Sequence, residues 1–433
     1  MSLSFSAKYQ GEICAEKTKL QVYWPNGSAN DLDKDFAEIT NPIMIDGRRI
    51  PFSTVAEHVG VLRSTNGNKE AILARICAHK SAVASILNAG MARGHRGNPA
   101  VGIRVHCLYG IPVLLSGIAA LVLTAADVNL LEGHYKETLR NLMRLHSKTP
   151  RSVVYFLAGS LPGIALIHLR QMSLFGMITR LPGSILHRIA LHTFSSGNIP
   201  KSSWFWQIRN LCLKYMLPHP IDLLYSKLKK DEFKILVKKK IVDYWEQLLR
   251  EEASILPSLS FFNPFFMSLQ KSHPLWTTAG SSPAKVAKAT VQALMLSGRY
   301  RTESLTRHWG PNRSGDCKMS KECENVSEDI THILRFCPVL EATRKRLMDY
   351  TTAYASNLPD EVSSILMSSC SSESSNFVQF LLDCSNLPVV ITLAQSFHKE
   401  LDVISSFFEV TRTWVYALHR DRLKCLNQWG AHG

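Results

Sequence analysis

Apolar residues recur at helical spacing through most of residues 69–300, and this periodicity restricts the possible folds more than any other feature. Between Lys69 and Gly90 they return every three or four positions, as on one face of a helix. Gly and Pro then interrupt the pattern at short joints. Pro99 suits the first position of a helix, and Thr149-Pro150 and Leu161-Pro162 each precede another. The middle of the chain is therefore predicted to be a succession of helices.

The N-terminal residues have a different pattern, which predicts short strands. Asp46-Gly47 is a typical hairpin turn, and residues 43–45 and 50–52 would form its arms. Residues 20–24 and 56–62 are two further candidate strands. We therefore predict a mainly α fold with a small β-containing piece at its N-terminus. The segments are expected to be residues 1–68 (β-containing), 69–200 (helical), 201–310 (basic and helical), 311–350 (rich in Cys and His) and 351–433 (helical).

The charge of the chain is concentrated in its middle. The 433 residues carry a net charge of +15, but residues 69–310 contain 31 Lys and Arg against 12 Asp and Glu. This excess favours a polyanionic partner, which means nucleic acid or an anionic membrane surface. The opening MSLSFSAKYQGE lacks the basic and apolar regions of a secretory signal. We therefore expect a nuclear or cytoplasmic protein, not a secreted one, with reduced cysteines.

Two long apolar runs leave a membrane alternative open. Residues 107–126 contain no charged residue, and residues 153–169 are almost as apolar. Gly110, Pro112 and Gly117 interrupt the first run, and Leu161-Pro162-Gly163 breaks the second. These breaks favour buried helices of a large core, so we expect no membrane contact. The alternative is a polytopic membrane protein anchored by both runs.

One predicted helix, over residues 228–253, separates an apolar face from a lysine-rich face. It could present its lysines to phosphates, or the lysines could simply be solvated. Its surrounding segment is basic, which favours phosphate contact. Arg93 and Arg96 lie in a second basic loop, which could bind a phosphate or be an ordinary surface turn. The predicted nucleic-acid-binding lysines of the helix are Lys229, Lys230, Lys234, Lys238, Lys239 and Lys240.

Three cysteines and one histidine lie within a short polar segment. Cys317, Cys323, His332 and Cys337 provide the thiolate and imidazole ligands that tetrahedral zinc requires. The first gap is longer than usual, so a chance grouping is the alternative. The residues between 318 and 329 have few apolar side chains, and a metal would stabilise them. We therefore predict one structural zinc ion.

No motif predicts catalysis. The chain has no glycine-rich phosphate loop and no Gly-x-Ser-x-Gly elbow. Asp31, Asp33 and Asp35 alternate, but they follow Asn26-Gly27 in a polar stretch without an apolar strand. A solvated loop explains them better than a pair of Mg²⁺ sites. We therefore assign no catalytic residue.

Several sequence pieces nevertheless occur in a recognisable order. They are EKTKLQVYWP (16–25), AEHVGVL (56–62), AGMARGHRGNP (89–99), LYGIPVLLSG (108–117), residues 145–178 and CPVLEATRKRL (337–347). Together with the Cys-Cys-His-Cys cluster, this order resembles the downstream part of reverse transcriptases from non-LTR (LINE-type) retrotransposons. The resemblance spans residues from about 9 to the end of the chain.

The resemblance implies roles for particular residues. Lys17 and Thr18 would lie near an incoming nucleotide, and His58 and Gly60 would belong to the hairpin that grips the primer end. Residues 1–68 would be a palm remnant, the helices after them a thumb, and residues 317–337 a zinc-knuckle-like segment. RNA and DNA would be the partners, as template–primer duplex and as target DNA, together with an upstream polymerase region.

One departure from the family limits what the chain is expected to do. The family's Tyr-x-Asp-Asp strand should precede EKTK, but the residues before it contain no Asp. We therefore expect a truncated element or a fragmentary gene model that binds no catalytic Mg²⁺ and does not act alone as an RNA-directed DNA polymerase. A nucleic-acid-binding module retained by a host remains an alternative.

Overall fold

Helices form most of the structure, and the strands described form two short hairpins near the N-terminus. The computed structural model describes residues 44–45, 48–50, 53, 55–58, 61–64, 67–91, 97–307, 314–397 and 400–430. The predicted fold class, mainly α with a small β part, is confirmed. The chain divides into two compact units, and the five sequence segments remain a prediction about domain organisation. The first unit contains residues 1–82, 110–131 and 167–234, and the second contains 83–109, 132–166 and 235–433.

Both hairpins lie where the sequence predicts β structure. Strands β1 (Met44–Ile45) and β2 (Arg48–Arg49) pair antiparallel on either side of Asp46-Gly47, so this hairpin is confirmed with its second arm nearer the turn. Strands β3 (Val55–His58) and β4 (Val61–Ser64) also pair antiparallel. The prediction of one strand over 56–62 was wrong, because the chain reverses between His58 and Val61. The strand predicted over 20–24 lies outside the described residues.

The helices begin and end close to the predicted joints. In chain order they are α1 (Lys69–Ile86), α2 (Pro99–Val105), α3 (Ile111–Leu114), α4 (Ala125–Met143), α5 (Arg151–Ala158), α6 (Gly163–Thr179), α7 (Ile185–Ser195), α8 (Trp204–Lys214), α9 (Pro220–Tyr225), α10 (Lys230–Ile255), α11 (Pro274–Thr277), α12 (Pro283–Leu296), α13 (Glu303–Thr306), α14 (Glu341–Ala355), α15 (Asp360–Cys370), α16 (Phe377–Leu382), α17 (Pro388–Ser396) and α18 (Glu400–Gly430). Shorter π and 3-10 turns join them at Leu87–Met91, His106–Gly110, Ile118–Ala120, Pro257–Leu259, Lys321–Cys323, His332–Phe336, Pro338–Leu340 and Cys384–Asn386.

Local capping explains why several helices start where they do. Pro99 is the first residue of α2, and the side chain of Asn98 accepts the Ala100 N–H at 2.8 Å. Thr124 and Asp127 exchange hydrogen bonds between side chains and backbone at the start of α4. At the end of the chain, the predicted helical segment 351–433 includes α17 and α18, with a break after Ser396.

Helix α5 supplies part of the second apolar run and is buried within the second unit. Its side chains from Val153 to Ala158 are exposed by 1% or less. Several polar groups around it are paired: Tyr155 donates to Glu132, Glu132 also accepts the Ile164 N–H at 2.9 Å, and Tyr135 and Ser160 share a 2.6 Å hydrogen bond. Burial without such partners would cost these groups free energy, so these hydrogen bonds accompany the apolar packing of the core.

Neither apolar run forms a single long helix. Residues 107–126 are divided among a π turn, α3, a 3-10 turn and the first residues of α4. Among the described residues, no one helix has both the length and the apolar composition to cross a bilayer. The bent pair of α5 and α6 meets these criteria together, by length and composition alone.

The end of α5 generates a test of the packing in the second unit. Gly159 ends the helix with a φ of +62°, and a Cβ there would lie 2.1 Å from the backbone carbonyl of Lys271. Because neither backbone can yield easily, we expect Gly159→Ala to lower the free energy of unfolding by about 3 kcal/mol. Urea denaturation followed by circular dichroism measures this change.

Gly133 provides the matched control for that substitution. It lies on the exposed side of α4 in the same unit, and an added Cβ would meet no atom within 4 Å. Gly133→Ala should raise the free energy of unfolding by about 0.5–1 kcal/mol, because alanine loses less entropy in a helix. Equal stability of the two variants would contradict the close contact at Gly159.

Candidate metal centre

The four predicted metal ligands converge at one point in the second unit. One ligand atom from each of Cys317, Cys323, His332 and Cys337 lies within 4.8 Å of all the others. The Sγ atoms of Cys323 and Cys337 are 3.9 Å apart. All four residues are buried, His332 most exposed at 6%. The predicted cluster is thus confirmed as a group of side chains that could hold a metal ion.

A tight loop brings the first two cysteines together. Asp316 and Ser327 form an isolated antiparallel bridge, and the Cys317 N–H donates to Val326 O at 2.8 Å. Between them, a 3-10 turn ends at Cys323, whose carbonyl accepts the Val326 N–H at 3.0 Å. Asn325 reverses the chain with a φ of +65°, a conformation that Asn tolerates better than most residues. Backbone hydrogen bonds therefore shape this half of the site.

A single π turn supplies the other two ligands. The turn runs from His332 to Phe336, and the Cys337 N–H donates to His332 O at 2.8 Å. The carboxylate of Asp329 accepts the His332 N–H at 2.7 Å and fixes the start of the turn. Ile333 and Leu334 are completely buried beneath it. Both residues belong to the turn, which directs His332 and Cys337 toward the same point.

The electrostatics of the cluster suit a cation. A hydrogen bond from Cys337 lowers the pKa of Cys317 to about 4, and His332 adds to this shift. The same hydrogen bond raises the pKa of Cys337, and burial raises the pKa of Cys323. The Nε2 atom of His332 is buried and has no hydrogen-bond partner among the described residues. A bound cation would pair this nitrogen and hold all three sulfurs as thiolates.

A buried ion pair anchors the site to the last helix. The carboxylate of Glu328 accepts two hydrogen bonds from Arg422 of α18, at 2.7 and 2.9 Å. Both side chains are nearly inaccessible, at 0% and 5% exposure. Burial alone would lower the pKa of Arg422, but the hydrogen bonds to Glu328 outweigh it, so the pKa is raised. Glu328 also accepts the Glu303 N–H at 2.7 Å, which ties α13 to the same carboxylate.

Arg344 holds the site from a second direction. Its guanidinium donates to the carbonyl oxygen of Cys337 at 2.6 Å and to the Glu341 carboxylate at 2.8 Å. Arg344 belongs to α14 and is buried. The carbonyl of one ligand residue is therefore fixed by a charged donor, which limits how far Cys337 can move.

The other predicted site residues fall into two groups, those outside the described residues and those whose position is described. Lys17, Thr18, Gly60, Arg93 and Arg96 lie outside the described residues. His58 ends β3 and pairs with Val61, so it belongs to a β-hairpin, as the resemblance implies. Its role at a primer end stays a prediction. The six lysines of the amphipathic helix, Lys229, Lys230, Lys234, Lys238, Lys239 and Lys240, are all exposed.

Several supporting residues of the site escaped the sequence analysis. Asp329 stands three positions before His332, and this spacing is a capping signal that could have been recognised. Glu328 and Arg422 are 94 positions apart, and no local pattern links them. With four buried ligands the coordination sphere would be closed, so the centre can stabilise a fold and has no open position for a substrate.

The Glu328–Arg422 pair generates a prediction about stability. Glu328→Gln leaves the guanidinium of Arg422 buried beside a neutral group, so we expect a loss of about 3 kcal/mol in the free energy of unfolding. Glu409→Gln is the control, because its ion pair with Lys285 is partly exposed and should contribute at most about 1 kcal/mol. Chemical denaturation of both variants measures the difference. Similar losses in the two variants would show that Glu328 is not a special anchor.

Comparison with known proteins does not identify a family for this chain. No protein-family model matches the chain, and no curated protein and no solved structure matches it significantly. The features of the chain that bear on function are therefore the Cys-Cys-His-Cys cluster and the charged surface of α10.

Proposed function

We propose that this chain is the nucleic-acid-binding part of a LINE-type reverse transcriptase, equivalent to its palm edge, thumb and cysteine-rich region. In this proposal, its basic helices hold RNA and DNA, including the template–primer duplex, through the phosphate backbone. The observation that carries the proposal is the exposed lysine cluster on α10. The order of sequence motifs and the charge of residues 69–310 support it from the sequence side.

The geometry of α10 favours contact with a backbone. Lys238, Lys239 and Lys240 are consecutive, and successive residues on a helix are about 100° apart. The three side chains therefore fan out over the outward surface of one turn, while Val237 and Ile241 on either side of them are buried. Such an arrangement can contact phosphates along a groove without reading bases. Binding should accordingly have little sequence preference and a steep dependence on salt.

We further propose that zinc occupies the metal centre and that its role is structural. Three thiolates and one imidazole match the preference of zinc for sulfur and nitrogen ligands in tetrahedral sites. The orphaned Nε2 of His332 supports a nitrogen ligand, and the burial of all four residues supports a closed site. The segment has few apolar side chains of its own, so metal binding would supply much of its folding free energy.

The lysine cluster is tested by charge reversal. In the variant Lys238→Glu/Lys239→Glu/Lys240→Glu, the slope of log K against log salt for duplex RNA should become less steep by about 2.7 if all three lysines contact phosphates. Fluorescence anisotropy at several salt concentrations measures this slope. An unchanged slope would mean that the cluster is merely solvated.

A second triple variant separates local contact from net charge. Lys80, Lys201 and Lys271 are also exposed but are scattered along the chain. Their reversal to Glu changes the net charge by the same amount, yet it should leave most of the slope intact because these lysines do not form one phosphate-binding surface. If both variants lose the slope equally, overall charge and not α10 governs binding.

The zinc proposal is tested by elemental analysis and proteolysis. The wild-type chain should contain about one zinc ion, and Cys323→Ser should lose it, because three ligands bind the metal far less tightly. Proteases should then cut between residues 314 and 345. Cys212→Ser, a buried cysteine in the first unit, should keep its zinc. Substoichiometric zinc that does not change in Cys323→Ser would refute the site.

A further inference from the structure

The π turn of the metal centre exposes an aromatic ring on its outer side. The first three residues of the turn are buried, but Phe336 at its end is 60% exposed. The neighbouring Arg335 places its guanidinium over this ring, 5.2 Å from the centroid. Because His332 and Cys337 must both face the metal position, the turn leaves the ring directed to solvent. An exposed aromatic ring on a fixed turn can stack on a planar group of a ligand.

The ring lines a groove of about 490 Å³ in the second unit. This volume lies within the range of roughly 300–1,000 Å³ that is usual for small-molecule sites. The cations in the groove are Arg335, Arg344 and Lys345, and the anions are Glu341 and Glu373. Glu341 is paired with Arg344 at 2.8 Å. The remaining charges of the groove are two cations, Arg335 and Lys345, and one anion, Glu373. The groove therefore joins an exposed aromatic face to a small excess of positive charge.

We infer that this groove binds one nucleotide of a single-stranded nucleic acid. The unpaired base would stack on Phe336 beside the Arg335 guanidinium, and the adjoining phosphate would lie against Lys345. Stacking on an aromatic ring tolerates any base, because every base has a π face. The bases of a duplex are already stacked and cannot reach the ring. The groove would thus add a preference for unpaired strands to the backbone binding of α10.

The charge and the ring together favour this occupant over an acidic peptide. A peptide carboxylate would use Arg335 and Lys345 but would gain little from an exposed phenylalanine. A nucleotide uses both features, since it carries a planar base and an anionic phosphate within one unit. The inference rests on the proposed nucleic-acid-binding function and specifies the form of nucleic acid that this part of the chain takes.

The test compares single-stranded and duplex RNA of about ten nucleotides, which is within the site sizes usual for such proteins. Phe336→Ala should weaken binding of the single strand about tenfold and leave duplex binding unchanged. Phe336→Trp, which keeps a stacking ring, should restore single-strand binding. A 2-aminopurine base in the strand should lose fluorescence on binding to the wild-type chain and to Phe336→Trp, but not to Phe336→Ala.

Phe265 supplies the matched control. It is 68% exposed in the same unit but does not line this groove, so Phe265→Ala should bind the single strand like the wild type. Elemental analysis should give the same metal content for Phe336→Ala and wild type, because the ring is not a ligand. Equal single-strand affinity of Phe336→Ala and wild type, or an equal loss for duplex, would overturn the inference. Failure of the wild-type chain to bind either form would instead refute the proposed function.

Discussion

The buried pair of Glu328 and Arg422 organises the C-terminal part of the molecule. A carboxylate and a guanidinium removed from water are stabilised only when their hydrogen bonds are complete, and here two short bonds join them. The same carboxylate accepts a backbone N–H from α13, and the guanidinium packs against the ring of Tyr300. One ion pair thus connects the metal segment, α13 and the final helix. The residues between 318 and 329 have few apolar side chains, so these ionic contacts help to hold that stretch in place.

The backbone turn that positions two residues of the metal centre also determines which side chains lie on its outer surface. Two ligands five positions apart can face one point because a π turn separates them, and this turn also decides which side chains face away. Arg344 fixes the carbonyl of Cys337 from the opposite side. The site is therefore preorganised by elements that are distant in sequence. This arrangement is consistent with the proposed structural zinc, which would lock a surface that presents a ring and basic side chains to a polymer.

The second apolar run of the sequence has an explanation in the core of the second unit. In α5, consecutive residues are buried on every side, so its sequence lacks the alternation of an amphipathic surface helix. Several polar groups around it pair with one another, as in the hydrogen bond between Tyr135 and Ser160. A helix buried all round and a membrane-spanning helix have the same composition. They differ in the length of the uninterrupted helix. The break at residues 159–162 keeps α5 too short to span a bilayer by itself.

Local sequence determined most of the helix boundaries, the first hairpin, the apolar face of α10 and the identity of the four cluster residues. These features depend on contacts between neighbours along the chain: a proline at a helix start, an Asp-Gly turn, a helical repeat, or ligands within 21 positions. Tertiary structure alone decided that Glu328 pairs with Arg422 and that Phe336 is exposed. Both depend on the path of the backbone through the folded chain and on which polar groups must pair because they are buried. A local sequence pattern specifies neither the path nor the pairing.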